Sequence, residues 1–156
     1  MLAENEWYWR TTMNKAFEDE FMEFQTGLIK LCMEVTKLKV DKIYAYASNE
    51  KKSKMFNAFF EVNGEIKTLN LLDIPDDLAW DFLKTGTNDL EILDAICEKH
   101  GKPSPTELKL FYDIKTGKFD AQYKYKEVCS AKTGKAAGDV FEEWMEEIEE
   151  RIDVDG

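Results

Sequence analysis

Asn63-Gly64 sits between two stretches in which apolar and polar residues alternate, and this constrains the fold more than any other feature of the chain. A two-residue hairpin turn needs positive φ at both central positions, which asparagine and glycine tolerate. The pattern predicts a strand over about 55–62, with Phe56, Ala58, Phe60 and Val62 on one face, and a return strand over about 65–71. A second hairpin is read from Leu108, Leu110, Tyr112 and Ile114, the loop Lys115-Thr116-Gly117, and then Phe119, Ala121, Tyr123 and Tyr125. A further strand begins at Lys42, where Ile43, Ala45 and Ala47 alternate with Tyr44 and Tyr46, and the polar run 48–54 is read as its turn. These connections are too short for a crossover, so the sheet is expected to be antiparallel.

Helical spacing governs the rest. Residues from about 4 to 38 carry Phe17, Phe21, Phe24, Leu28, Leu31, Val35 and Leu38 at steps of three and four, with Gly27 as a candidate bend. Trp7, Trp9 and Met13 extend this apolar surface, and residues 1–16 read as an extension of a single domain whose core spans 17–152. Two short helices are expected in the middle. The first opens at Pro75-Asp76-Asp77, turns Leu78, Phe82 and Trp80 inward, and ends at Gly86; the second opens at Thr87-Asn88-Asp89 and buries Leu90, Leu93, Ile96 and Cys97. A loop of small and basic residues, 129–138, leads to a last helix. The expected fold class is α+β, an antiparallel sheet built from two hairpins, with the helices on one face.

The last helix holds most of the charge. Asp139 to Gly156 contain nine acids and one base, −8 of a net −11, while residues 1–138 are close to balanced with 20 bases and 23 acids. Val140, Phe141, Trp144, Met145, Ile148 and Ile152 form an apolar row, and Glu142, Glu143, Glu146, Glu147, Glu149 and Glu150 lie opposite. Such a helix docks by one side, with Trp144 buried, and shows a carboxylate field on the other. That field suits a basic partner and opposes direct binding of nucleic acid or an anionic membrane.

Composition narrows the class further. The chain is 44% apolar over 156 residues, enough for a core, and no apolar run approaches the ~20 residues that span a bilayer. MLAENEWYWR does not read as a secretory signal, and Cys32, Cys97 and Cys129 are odd in number and widely spaced, so a reducing, cytoplasmic setting is expected. The one histidine, His100, lies beside Gly101 at a helix end, where the dipole gives it a structural role. No cofactor or metal set is read: a lone His and scattered Cys cannot form the usual site. Gly117-Lys118 and Gly134-Lys135 lack the spacing of a phosphate loop. One catalytic alternative remains, a Mg²⁺-dependent nuclease using the Glu-x-Lys pairs Glu65/Lys67 or Glu107/Lys109. A third class is a self-assembling structural protein joined through the N-terminal aromatics.

The segment PTELKLFYDIKTGKFDAQYKY at 105–125, followed by VFEEWMEEIEE at 140–150, resembles the YezG-like immunity proteins of bacterial polymorphic and LXG-type toxin systems. KVDKIYAYASNE and FFEVNGE agree with that family in order, and the resemblance covers about residues 18–150. It implies a small acidic α+β protein, monomer or weak dimer, that performs no catalysis and neutralises a nuclease toxin in the producing cell. The implied partner is a cognate basic toxin domain. The residues expected to meet it are Glu142, Glu143, Glu146, Glu147 and Glu150, with Tyr44 and Tyr46, or Phe59 and Phe111, as aromatic anchors on the sheet face that the helices leave open.

Overall fold

A computed structural model describes residues 2–130 and 132–155, with side chains described for 15–130 and 132–154. Trp7, Trp9 and Met13 therefore lie outside the described side chains. The order is α1 (Leu2–Thr36), β1 (Lys42–Glu50), β2 (Ser53–Val62), β3 (Glu65–Thr68), α2 (Asp76–Lys99), β4 (Glu107–Asp113), β5 (Phe119–Lys124) and α3 (Ala137–Asp155), with a short 3-10 turn at Leu69–Leu71. One antiparallel sheet runs β3-β2-β1-β4-β5. The fold is α+β, and both expected hairpins are present, β2–β3 and β4–β5, joined through the central β1. Asn63 and Gly64 take φ of 52° and 80°, the left-handed pair the turn requires. Asn63 N–H also donates to Asp41 Oδ2 at 2.8 Å.

The sheet is covered on both faces, not one. Ile43, Ala45, Ala47, Phe56, Ala58, Phe60, Leu108 and Leu110 face α1 and α2, which contribute Phe24, Leu28, Cys32, Phe82, Leu90, Leu93 and Cys97. On the other face Tyr44, Tyr46 and Phe59 lie under Val140, Phe141, Trp144 and Ile148 of α3. Strand β1 is apolar in both of its alternating sets, and burial on both sides satisfies both.

The middle helices are one helix. Gly86 does not end it, because the glycine lies under the Phe56 ring and a β-carbon there would fall 2.5 Å from Phe56 Cγ. At the next residue Thr87 Oγ1 accepts from Phe56 N–H at 3.1 Å and donates to Leu83 O at 2.8 Å, which seats α2 against β2. Helical phase then turns Trp80 and Leu78 outward, and Trp80 is 70% exposed. Leu38, expected in the apolar row of α1, lies past the helix end in the left-handed region with φ of 59° and is exposed. Helix α1 runs through Gly27 without a break.

The polar run 48–54 is mostly strand, with the turn confined to Lys51-Lys52. Ser48 and Asn49 are buried, and Asn49 is satisfied by a polar network. Its Nδ2 donates to Asp94 Oδ1, Ser104 Oγ and Pro105 O at 2.9, 3.1 and 3.0 Å, and Lys54 Nζ donates to its Oδ1 at 2.6 Å. Burial alone raises the pKa of Asp94, but the hydrogen bonds from Lys54, Ser104 and Asn49 outweigh it and hold the carboxyl below its usual range. A carboxyl lowered in this way binds fewer protons folded than unfolded. Its contribution to stability is complete above the unfolded value of 3.8 and is lost as pH falls through the folded value. The melting temperature of the wild type is accordingly expected to exceed that of Asp94→Asn at pH 6, with the gap closing below about pH 3.8; thermal melts from pH 6 to 2.5 test this.

His100 stands at the α2 C-terminus as expected, and its Nε2 lies 2.6 Å from Glu20 Oε2, with the Phe17 ring edge-on at 5.6 Å. Hydrogen bonds from Lys99 and His100 lower the pKa of Glu20. Tyr123 donates to the buried Gln25 at 2.6 Å and so ties β5 to α1. Cys32, Cys97 and Cys129 are free and buried, and burial raises the pKa of each thiol.

Candidate functional site

The apolar row of α3 anchors the helix, so its opposite side is fixed toward solvent. Glu142, Glu143, Glu146, Glu147, Glu149 and Glu150 are all exposed. From Glu142 to Glu150 the ridge runs about 12 Å at 1.5 Å per residue. Two of its acids are held locally: Glu143 accepts from Lys135 Nζ at 2.9 Å and Glu147 from Arg151 at 2.6 Å. No ion pair is formed by Glu142, Glu146, Glu149 or Glu150 among the described residues. The sequence reading of this helix thus agrees with the structure in both of its faces.

The tyrosines are placed differently from the expectation. Tyr44 and Tyr46 do not lie on an open sheet face; α3 covers them, and Tyr46 is 0% exposed. Tyr44 stacks on Phe59 at 4.7 Å, and the Trp144 ring meets the two edge-on at 5.8 and 5.0 Å. Burial, then the charge of Glu61, pushes the Tyr44 hydroxyl up to about 12. Tyr46 donates to Glu107 Oε2 at 3.2 Å, and burial followed by the Glu107 charge raises its pKa as well. Phe59 is enclosed with them and Phe111 is half-buried. Tyr44, Tyr46 and Phe59 position α3 and are not available as surface anchors.

Helix α3 covers β1, β2 and β3 but covers the same face of β4 only in part and leaves that of β5 largely open. There Lys109, Phe111, Asp120, Gln122 and Lys124 line a groove against the helix. It consists of two depressions of about 480 and 310 Å³ that share Lys109 and Trp144. Glu107 is buried beneath these lysines, 2% exposed, with Lys109 Nζ and Lys124 Nζ 3.9 and 3.8 Å from Oε1. The Lys109 ammonium also sits over the Trp144 ring at 5.6 Å. Beside the groove, Glu50 accepts from the Val128 and Cys129 N–H groups at 3.1 and 2.9 Å, which fixes the loop leading to Lys135.

The two Glu-x-Lys pairs do not come together. Strand order puts β3 three positions from β4, about 14 Å at the usual strand spacing. Register turns Glu65 and Lys67 to the α1 side and Glu107 and Lys109 to the α3 side. Among the described residues no group of three or more His, Cys, Asp or Glu is placed to hold a metal ion, and no helix is long and apolar enough to cross a membrane. No family model matches the chain, and no curated protein is similar to it at a significant level.

The groove is not apparent along the chain, because its lysines come from β1, β4, β5 and the loops on either side of β5. The available signal was alternation: Glu107, Lys109 and Lys124 occupy the outward phase of strands whose other phase is apolar.

Proposed function

We propose that the chain is a non-enzymatic immunity protein that binds a basic bacterial toxin domain of nuclease type in the cytoplasm and occludes its active-site surface. The observation that carries this reading is the α3 ridge, in which six exposed glutamates are held rigidly outward by a buried aromatic anchor. A fixed carboxylate field steers a basic partner and opposes nucleic acid, the partner's own substrate. The resemblance of residues 105–125 and 140–150 to YezG-like immunity proteins supports the same class.

The test is copurification with the toxin encoded beside the chain, followed by association kinetics. Changing Glu143, Glu146 and Glu150 together to Lys alters the ridge by six charge units while leaving the apolar row intact. Association is expected to slow by about tenfold or more at low ionic strength, with dissociation little changed and the difference shrinking in added salt. Circular dichroism should show the fold retained. An on-rate indifferent to the triple reversal would remove the ridge from the interface.

A further inference from the structure

The groove between α3 and the β4–β5 half of the sheet concentrates the opposite charge. Its two depressions are lined by Lys42, Lys109, Lys118, Lys124, Lys126, Lys135 and Arg151, a third of the 21 bases of the chain. Four of its 32 acids line them: Asp120, Glu127, Glu143 and Glu147. Several of these charges cancel in pairs, Lys135 with Glu143, Arg151 with Glu147 and Lys42 with Glu61. What remains is a strand-side wall of Lys109, Lys118, Lys124 and Lys126, facing Asp120, Glu127 and the buried Glu107. In a protein of net charge −11 this is a local positive surplus beside the most acidic ridge.

Two of these lysines are also placed before anything binds. Glu107 holds Lys109 and Lys124 within 4 Å of one carboxylate oxygen without a short hydrogen bond to either, so their remaining N–H donors stay free for a ligand. Trp144 fixes Lys109 from the other side. The floor between is apolar, with Val140, Trp144, Ile148 and Phe111. A lysine wall above an apolar floor suits a peptide segment that carries carboxylates among apolar residues. It does not suit a nucleic-acid strand, which brings a charge at every phosphate past the glutamates of the helix wall.

We infer that the groove is the docking site for an acidic peptide segment of a partner protein, its carboxylates held by Lys109, Lys118, Lys124 and Lys126. The inference rests on the proposed function only for the partner being a protein. A metal-dependent nuclease presents carboxylates within a basic surround, and a lysine groove beside a glutamate ridge is the inverse of that arrangement.

A fluorescein-labelled six-residue peptide that alternates glutamate with leucine is the probe, titrated into the full chain at low salt with polarisation as the readout. Saturable binding is expected. Lys118→Glu, Lys124→Glu and Lys126→Glu combined should weaken it by about tenfold or more. The same charge change at Lys15, Lys30 and Lys84, on α1 and α2, should alter it less than about twofold. Absence of saturable binding overturns the inference. Equal loss in both triple variants, which would mean net charge alone, overturns it too, as does a six-residue thymidylate strand binding as tightly as the peptide. The toxin takes no part in this titration, so failure here leaves the ridge reading standing, and an on-rate indifferent to ridge reversal leaves the groove standing.

Discussion

Trp144→Ala is expected to lower the unfolding free energy by about 3–5 kcal/mol, the range for removing a large buried aromatic. Trp144 is 9% exposed and central to the smaller core, where its ring meets Phe59, Tyr44 and Tyr46 at 5.0, 5.8 and 6.4 Å. Alanine leaves a void against three rings that the rigid sheet cannot close, and it also removes the surface over which Lys109 sits. The sheet separates this core from the one under α1 and α2. The variant should therefore show α3 amides exchanging much faster than those of α2, since α3 has lost its anchor and α2 has not. Urea unfolding and hydrogen exchange measure both effects. An unchanged urea midpoint would contradict the placement of the helix.

The same residues show what sequence could and could not convey. The hairpin at Asn63-Gly64 was readable because backbone sterics impose it locally, whatever the rest of the chain does. The two faces of α3 were readable because apolar spacing and charge agree over the whole helix. Coverage of both sheet faces was missed, although its signal is present. Strand β1 is apolar in both phases, and Phe59-Phe60 in β2 sends one ring to each core. A strand with one face in water does not carry that pattern. Sequence alone places Tyr44 and Tyr46 on an exposed phase because a tyrosine can stand as the polar member of an alternating pair. Its ring is a large apolar surface, and its hydroxyl needs one partner, which Glu107 supplies to Tyr46. The groove was legible only in part, as polar residues in the outward phase of β4 and β5. Its lysines belong to three strands and two loops that only the sheet register and the α3 dock bring together.

Gly86→Val is expected to destabilise the protein by about 3 kcal/mol or more, at the upper end of overpacking. From sequence, Gly86 is a helix terminator; in the fold it is a contact surface inside α2. A β-carbon at this position would lie 2.5 Å from Cγ and Cε1 of Phe56 and closer still to Cδ1. Phe56 cannot yield, because its ring is buried against Phe82 at 5.1 Å and its backbone N–H is bonded to Thr87. Alanine sets two effects against each other: about 1 kcal/mol gained in helix propensity and about 1–3 kcal/mol lost to the clash. Gly86→Ala should therefore be destabilising in the wild type. In a Phe56→Ala background the obstacle is gone and the propensity gain stands alone, so Gly86→Ala should become neutral or stabilising by up to about 1 kcal/mol. A double-mutant cycle in urea reads this change of sign directly. Equal destabilisation in both backgrounds would mean that Phe56 is not what the glycine accommodates.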